Sequence, residues 1–211
     1  NFDDKNSVEI KDVSFKYFLS DQFIFKDLDL TLPSNKHIVI TGPNGSGKST
    51  LLGIIAGALK PKSGVASVMS NNIGYVGVSP YIVPGTLRDN LLYGNELKKS
   101  DNEIMELVDE FNLFSSNDLS ALDRTINRKS LSSGQLQKVS FMRTLLAETD
   151  LLLLDESTSN LDDNSREKIF LILKNKKITI INSTHNPYDF EYDMRIKIIE
   201  GKESLSSIQI F

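Results

Sequence analysis

Residues 42–49 have the residue types and spacing of a phosphate-binding loop. Gly42 is followed by four free positions and then by Gly47, Lys48 and Ser49, which is the spacing of the P-loop. Glycines allow successive backbone N–H groups to turn toward a phosphate, and the helix that follows contributes its N-terminus. We expect Lys48 to reach the β- and γ-phosphates of a nucleotide and the Ser49 hydroxyl to ligate Mg²⁺.

The patterns on either side of this loop fit the motif. The apolar run at 37–41 indicates a buried strand, and 49–59 indicates a helix. The alternative is a glycine-rich turn that happens to precede a helix, and the strand–loop–helix order argues against it. The sequence therefore predicts a nucleotide-binding set of eight residues: Gly42, Asn44, Gly45, Ser46, Gly47, Lys48, Ser49 and Thr50.

A second candidate for chemistry is the acidic pair at 155–156. Four leucines at 151–154 precede it and indicate a buried parallel strand that ends in Asp155 and Glu156. A carboxylate at the end of such a strand can hold Mg²⁺, and we expect Asp155 to do so. Glu156 is placed to activate a water molecule as a general base. A leucine-rich strand ending in two acids becomes informative here because a P-loop lies upstream.

The composition is that of an ordinary globular protein. The 211 residues are 39% hydrophobic and 25% charged, with a formal net charge of -4, so nothing indicates a nucleic-acid partner. The chain has no Cys, which excludes a disulfide framework and a thiolate metal site. No apolar run approaches the roughly 18–20 residues of a membrane span. We expect one domain, 1–211, excised from a longer chain.

The order of the predicted elements indicates an α/β fold. Short apolar runs over 7–33 predict antiparallel strands, and alternating strands and helices from residue 148 onward predict a parallel sheet covered by helices. Between them, 86–146 is predicted to be helical, with a capping box at 100–103. His37 begins a strand and matches no motif, so we expect it at the surface.

Residues 131–135, Leu-Ser-Ser-Gly-Gln, lie between the two phosphate-site motifs. Alone they would indicate a serine-capped helix start. In this order of motifs the sequence resembles the ATP-binding cassette (ABC) ATPases, whose signature Leu-Ser-Gly-Gly-Gln stands at this place. The resemblance covers essentially the whole chain. It implies a P-loop NTPase core with a mostly parallel sheet, an antiparallel β subdomain and a helical subdomain near 79–147.

The resemblance also implies that two such domains work together. ATP and Mg²⁺ bound to the P-loop of one copy would be covered in trans by the signature of the other, and ATP would be hydrolysed to ADP and phosphate. The implied partners are a second nucleotide-binding domain, identical or different, and the transmembrane domains of a transporter at the cytoplasmic face of the membrane. The signature residues that would act in trans are Ser132, Ser133, Gly134 and Gln135.

Three further positions match family motifs. Tyr17 stands where the family has an aromatic residue that stacks on adenine, with a core or edge-strand tyrosine as the alternative. Asp162 matches the D-loop at the dimer interface, and it also suits a helix N-cap. His185 ends a buried strand and matches the switch histidine that contacts the γ-phosphate. With Lys48 and Glu156, His185 makes up the implied catalytic set.

The sequence departs from the family pattern at two positions. Val78 stands in the Q-loop, where the family has a Gln that approaches Mg²⁺ and the attacking water; valine offers neither a donor nor an acceptor. Ser133 stands where glycine is usual. We expect ATP binding to be intact, and we expect the missing Gln to affect hydrolysis or its coupling.

Residues 85–94 resemble the stretch that follows the Q-loop in exporter-type cassettes. This implies a domain that powers an exporter, with Tyr81, Ile82 and Val83 near the groove that receives a coupling helix; core packing is the alternative for these three. Two other functions stay open: a non-transport ABC switch such as a ribosome- or DNA-associated ATPase, and a regulatory ATP-binding cassette with weak hydrolysis.

Overall fold

The computed structural model describes residues 6–114, 119–200 and 206–211. The chain divides into two compact units. The first comprises Asn1–Tyr75, Asp150–Glu156 and Lys177–Phe211, and the second comprises Val76–Thr149 and Ser157–Lys176. Among the helices of the described ranges, none has the length and apolar character that crossing a membrane requires.

The first unit is built on a six-stranded sheet. Its strands are β3 (His37–Thr41), β5 (Ile73–Val76), β8 (Leu151–Asp155), β9 (Thr179–Ser183), β10 (Met194–Glu200) and β11 (Ser206–Ile210). They lie in the order β11-β10-β3-β9-β8-β5. β10, β3, β9 and β8 pair in parallel, and β11 pairs antiparallel with β10. β3 and β9 are buried along their whole length, as expected for parallel strands covered on both faces. The predicted α/β fold is confirmed.

A three-stranded antiparallel sheet completes the strands of this unit. It contains β1 (Asn6–Phe15), β2 (Phe25–Pro33) and β4 (Ser63–Val68) in the order β2-β1-β4. The short runs predicted over 7–33 are parts of two strands. At Asp12 and Asp27 the backbone is left-handed (φ 50) and the pairing register shifts, but the strands continue through these positions. Strands β4 and β11 were not predicted from the sequence. Both lie at sheet edges, where exposure leaves no continuous apolar run.

One helix packs against both sheets. Helix α1 (Lys48–Ile55) is buried along nearly its full length. It belongs to one core cluster with residues of β1, β2, β3, β8 and β10. The helix ends four residues earlier than predicted because Gly57, at φ 72, donates its N–H to the Ile54 carbonyl at 3.0 Å. A left-handed glycine is a common helix terminator.

The second unit is mainly helical. It contains β6 (Gly85–Thr86), α2 (Leu87–Leu91), α3 (Asp101–Glu110), β7 (Thr125–Ile126), α4 (Ser133–Leu146) and α5 (Asp163–Lys174). The prediction of helix throughout 86–146 was wrong in part, since β6 and β7 form a small antiparallel sheet. The capping box at Ser100 and Glu103 is confirmed. The unit extends beyond the range 79–147 because it includes α5.

The prediction that His37 lies at the surface was wrong. His37 is buried, and its Nδ1 lies 2.5 Å from the Glu191 carbonyl oxygen. Its backbone N–H donates to Asp193 Oδ2 at 2.8 Å, and its ring packs on Phe190 with centroids 4.1 Å apart. Burial lowers the pKa of His37 from 6.5 to about 4. A segment more than 150 residues away in sequence covers this strand start, which no local pattern reveals.

Candidate functional site

The predicted P-loop connects β3 to α1. Its turn is closed by the Ser46 N–H, which donates to the Pro43 carbonyl at 3.3 Å. Gly47 has φ 102, and a Cβ there would lie 2.8 Å from Ile24 Cγ2 and 2.9 Å from Phe25 Cζ. Both the backbone conformation and the space therefore require glycine. The first N–H groups of α1 have no carbonyl within the helix to pair with, so the loop ends in backbone donors suited to an anion.

Lys48 is buried within this loop. Its Nζ donates to the carbonyl oxygens of Gly42 and Pro43, both at 3.1 Å, and lies 3.6 Å from Glu156 Oε1. Only 5% of the residue is exposed. A buried ammonium group requires compensating charge or dipoles, and the loop carbonyls and the Glu156 carboxylate supply them. A phosphate at the loop would be a stronger partner for the same ammonium group.

Ser49, Asp155 and Tyr75 form a hydrogen-bonded group in the first unit. The Ser49 hydroxyl donates to Asp155 Oδ1 at 2.9 Å, and the Tyr75 hydroxyl donates to Asp155 Oδ2 at 2.8 Å. Burial, followed by the bond to Asp155, raises the pKa of Tyr75 above its ordinary value. Hydroxyl and carboxylate oxygens are the ligands that Mg²⁺ prefers, so the Ser49–Asp155 pair fits this ion. Sequence reasoning missed Tyr75.

Glu156 and His185 are in direct contact. His185 Nε2 lies 2.9 Å from Glu156 Oε1, the same oxygen that faces Lys48 Nζ. Glu156 adopts a left-handed backbone (φ 50), and its N–H donates to the Ser183 carbonyl at 3.0 Å. This conformation is uncommon for a residue with a side chain and often occurs at functional sites. The structure thus brings Lys48, Glu156 and His185 together around one carboxylate oxygen.

Tyr17 lies beside the start of α1. Its hydroxyl and the Thr50 hydroxyl are 3.0 Å apart, and its ring meets Phe15 edge-on at 5.1 Å between centroids. The residue is 48% exposed and lies two residues beyond the end of β1, so it is neither a core tyrosine nor part of that strand. The described contacts leave ring surface available to a ligand. Adenine stacking stays a prediction.

The predicted signature forms the N-terminus of α4 in the second unit. The Ser132 hydroxyl accepts from the Gln135 N–H at 3.2 Å, while the Ser132 N–H donates to Gln135 Oε1 at 2.9 Å. Gln135 Nε2 also donates to the Leu113 carbonyl at 3.0 Å. A Cβ on Gly134 would lie 3.5 Å from the Asn160 carbonyl oxygen. Ser133 is exposed, so serine fits at this position, and its action in trans stays a prediction.

The predicted Q-loop and D-loop are linked within the second unit. Val78 is 45% exposed, and its carbonyl accepts from Asn160 Nδ2 at 3.3 Å. The Gly77 carbonyl accepts from Nε2 of the fully buried Gln137 at 3.0 Å. Asn160 belongs to the predicted D-loop, but its contact with Val78 and the role of Gln137 were not predicted, because both side chains bind backbone atoms distant in sequence.

Asp162, the predicted D-loop residue, caps helix α5. Its Oδ1 accepts from the Ser165 N–H at 2.9 Å. This backbone hydrogen bond, followed by the one from the Ser165 hydroxyl, lowers the pKa of Asp162. The capping prediction is therefore confirmed, while the interface role stays a prediction.

The exporter-like stretch 85–94 forms β6, α2 and the turn after them. Fully buried Asn90 fixes the preceding loop, since its side chain exchanges hydrogen bonds with the Val83 backbone at 2.9 and 3.0 Å. Tyr81 is 62% exposed, and its ring lies 5.7 Å from that of Tyr93. Ile82 and Val83 are partly exposed. Core packing therefore does not hold for Tyr81, while for Ile82 and Val83 both interpretations stay predictions.

Comparisons with known proteins agree on one family. A family model described as ABC transporter matches residues 25–159. The ATP-dependent permease MDL1 of Candida albicans is 33% identical across 84% of this chain, which spans 29% of that protein. The lactococcin-A transport/processing ATP-binding protein LcnC of Lactococcus lactis is 29% identical across 95% of this chain, which spans 30% of LcnC.

The fold has a similar solved structure. A bacterial Atm1-family ABC exporter with ATP bound superposes with a TM-score of 0.82 at 22% identity. The match covers 92% of this chain and 37% of the exporter chain. At this identity, the similarity shows the shared fold.

Proposed function

We propose that this chain, which belongs to the ABC transporter family, binds ATP with Mg²⁺ at Gly42–Thr50 and hydrolyses it to power an exporter. The observation that carries the proposal is the contact of Lys48 and His185 with one oxygen of Glu156, at 3.6 and 2.9 Å. ATP hydrolysis is the general activity of the family, and these three residue types have the charges and protons that the reaction needs.

The P-loop would hold the phosphates of ATP. Its backbone N–H groups and the N-terminus of α1 supply donors, and Lys48 would exchange its two carbonyl partners for phosphate oxygens. Tyr17 would stack on adenine beside Thr50. Ser49 and Asp155 would hold Mg²⁺, which when bound neutralises charge on the β- and γ-phosphates.

Phosphoryl transfer to water needs a proton acceptor. In this proposal, Glu156 accepts the proton of the attacking water while the bond between the γ-phosphorus and the bridging oxygen breaks, and ADP leaves. His185 holds the Glu156 carboxylate through its Nε2 contact and would contact the γ-phosphate. Lys48 offsets the charge that develops on the transferred group.

A second copy of this domain, or a related one, would complete the site. Helix α4 has 14 residues and begins at the exposed Ser132 and Ser133, so its N-terminal dipole and N–H groups can face a γ-phosphate from outside the chain. The names of the relatives MDL1 and LcnC and the exporter-like stretch support transport as the work done. Exposed Tyr81 and Tyr93 suit contact with transmembrane domains at the cytoplasmic face of the membrane.

Mixed variants test the proposed trans arrangement. Lys48→Ala removes the phosphate contact and Ser132→Arg blocks the signature, so each variant alone should release no phosphate from ATP. A mixed pair retains one site with an intact P-loop and an intact signature, so mixing should restore phosphate release. Mixtures that stay inactive while the wild-type chain alone is active would contradict the trans arrangement.

A regulatory cassette with weak hydrolysis is the second candidate. The exposed, apolar Val78 favours it, because the family's Gln donor and acceptor are missing there. The rate of phosphate release, measured as a function of wild-type protein concentration, distinguishes the paired ATPase from the regulatory cassette. A rate that rises with the square of concentration supports a paired ATPase, and tight ATP binding without release supports the regulatory cassette.

A further inference from the structure

Both oxygens of the Asp155 carboxylate are held by hydroxyl groups. Ser49 Oγ donates to Oδ1 at 2.9 Å, and Tyr75 OH donates to Oδ2 at 2.8 Å. Asp155 is the last residue of β8, and Tyr75 lies in β5, the neighbouring strand of the sheet. The contact is therefore set by strand order and is not an encounter between two flexible loops.

We propose that Tyr75 is a positioning residue that holds Asp155 in the orientation needed for binding Mg²⁺ beside Ser49. The inference rests on the proposed function of this site. A metal-ligating carboxylate is normally oriented by a hydrogen-bond donor on its other oxygen, and losing that donor weakens metal binding. Tyr75 fits this role because its hydroxyl binds Oδ2 of Asp155, and the other oxygen, Oδ1, remains directed at Ser49.

The chemistry of Tyr75 suits a lasting donor. A tyrosine hydroxyl is an O–H donor that keeps its proton at neutral pH, and the Tyr75 hydroxyl lies 2.8 Å from Asp155 Oδ2. Tyr75 also carries the sole polar side chain in the segment 73–78, Ile-Gly-Tyr-Val-Gly-Val. In a chain whose Q-loop position is Val78, the hydroxyl of Tyr75 gives this segment a polar contact with the metal-binding carboxylate.

Metal binding to the nucleotide-loaded protein tests this role directly. The probe is Mn²⁺, whose free concentration is read by electron paramagnetic resonance, titrated into protein saturated with ADP. Tyr75→Phe should weaken Mn²⁺ binding by about 10- to 100-fold, the usual effect of losing such a partner. ADP affinity measured in EDTA should not change. Tyr192→Phe, which removes a hydroxyl with no described contact to the site, is the matched control.

The outcomes separate the inference from the proposed function. Unchanged or tighter Mn²⁺ binding in Tyr75→Phe would overturn the positioning role, as would an equal loss of ADP affinity in EDTA, which would indicate a general packing defect. A wild-type chain that binds neither ADP nor ATP would instead overturn the proposed function. Wild-type binding of ADP with Mn²⁺, together with a selective loss in Tyr75→Phe, supports both.

Discussion

His185 Nε2 lies 2.9 Å from Oε1 of Glu156, and the Glu156 backbone is held in a left-handed conformation with φ 50. The hydrogen bond between the Glu156 N–H and the Ser183 carbonyl fixes that conformation. His185 and Ser183 belong to the same short segment at the end of β9. This segment therefore sets both the backbone and the carboxylate of the proposed general base.

His185→Ala should lower ATP turnover by about 10²-fold. Without His185 the Glu156 carboxylate is no longer held in position, and a general base that is out of position accelerates the reaction much less. The same change in a Glu156→Gln background should cause little further loss, since residues that act as one unit are not additive. Steady-state phosphate release checks both statements. His37→Gln, at the start of β3 and thus at the end of that strand away from the P-loop, is the control and should keep wild-type turnover at pH 7. If the losses of turnover caused by His185→Ala and Glu156→Gln were additive in the double variant, the two residues would not act as one unit.

Val78→Gln should raise ATP turnover a few-fold or change its dependence on Mg²⁺ concentration. Val78 is 45% exposed, so the amide can be introduced without burying a polar group. Val78→Leu changes size without adding a donor or acceptor and is the control. If the Gln variant matches the Leu variant in rate and in Mg²⁺ dependence, position 78 has no role in hydrolysis by this chain.

The stability of the fold should fall between pH 6.5 and about 4 because of His37. The unfolded chain binds a proton at His37 with the ordinary pKa, whereas burial in the folded chain opposes it, so the unfolding free energy rises with pH in this window. Over the whole window, the unfolding free energy should change by about 3 kcal/mol.

Urea unfolding across that pH range measures this contribution. His37→Gln has no titrating ring and should flatten this part of the curve. Burial opposes ionisation of the Asp193 carboxyl, but the hydrogen bonds it accepts from the His37 backbone N–H and Lys36 Nζ lower its pKa, so it titrates below this window. Equal pH dependence in the variant and the wild-type chain would refute the assignment to His37.

Much of the candidate site follows from local sequence patterns. The P-loop, the acidic pair 155–156 and the helix caps at Ser100 and Asp162 are patterns within a few residues, because adjacent backbone groups decide them. The parallel strands were predictable for a similar reason, since a strand covered on both faces requires a continuous apolar run.

Contacts between distant segments could not be predicted in this way. The bond from Tyr75 to Asp155 depends on β5 lying next to β8, and the burial of His37 depends on the segment at 190–193. The edge strands β4 and β11 lack an apolar pattern because most of their described residues are exposed. The left-handed backbone of Glu156 is imposed by the Ser183 carbonyl rather than by a preference of glutamate.

Single-turnover phosphate release from ATP by Glu156→Gln tests the proposed general base. The variant should bind ATP as the wild-type chain does and release phosphate at least about 10²-fold more slowly, because it lacks the base. Glu167→Gln, an exposed substitution in α5, should release phosphate at the wild-type rate. A Glu156→Gln variant that releases phosphate nearly as fast as the wild-type chain would contradict the role of Glu156.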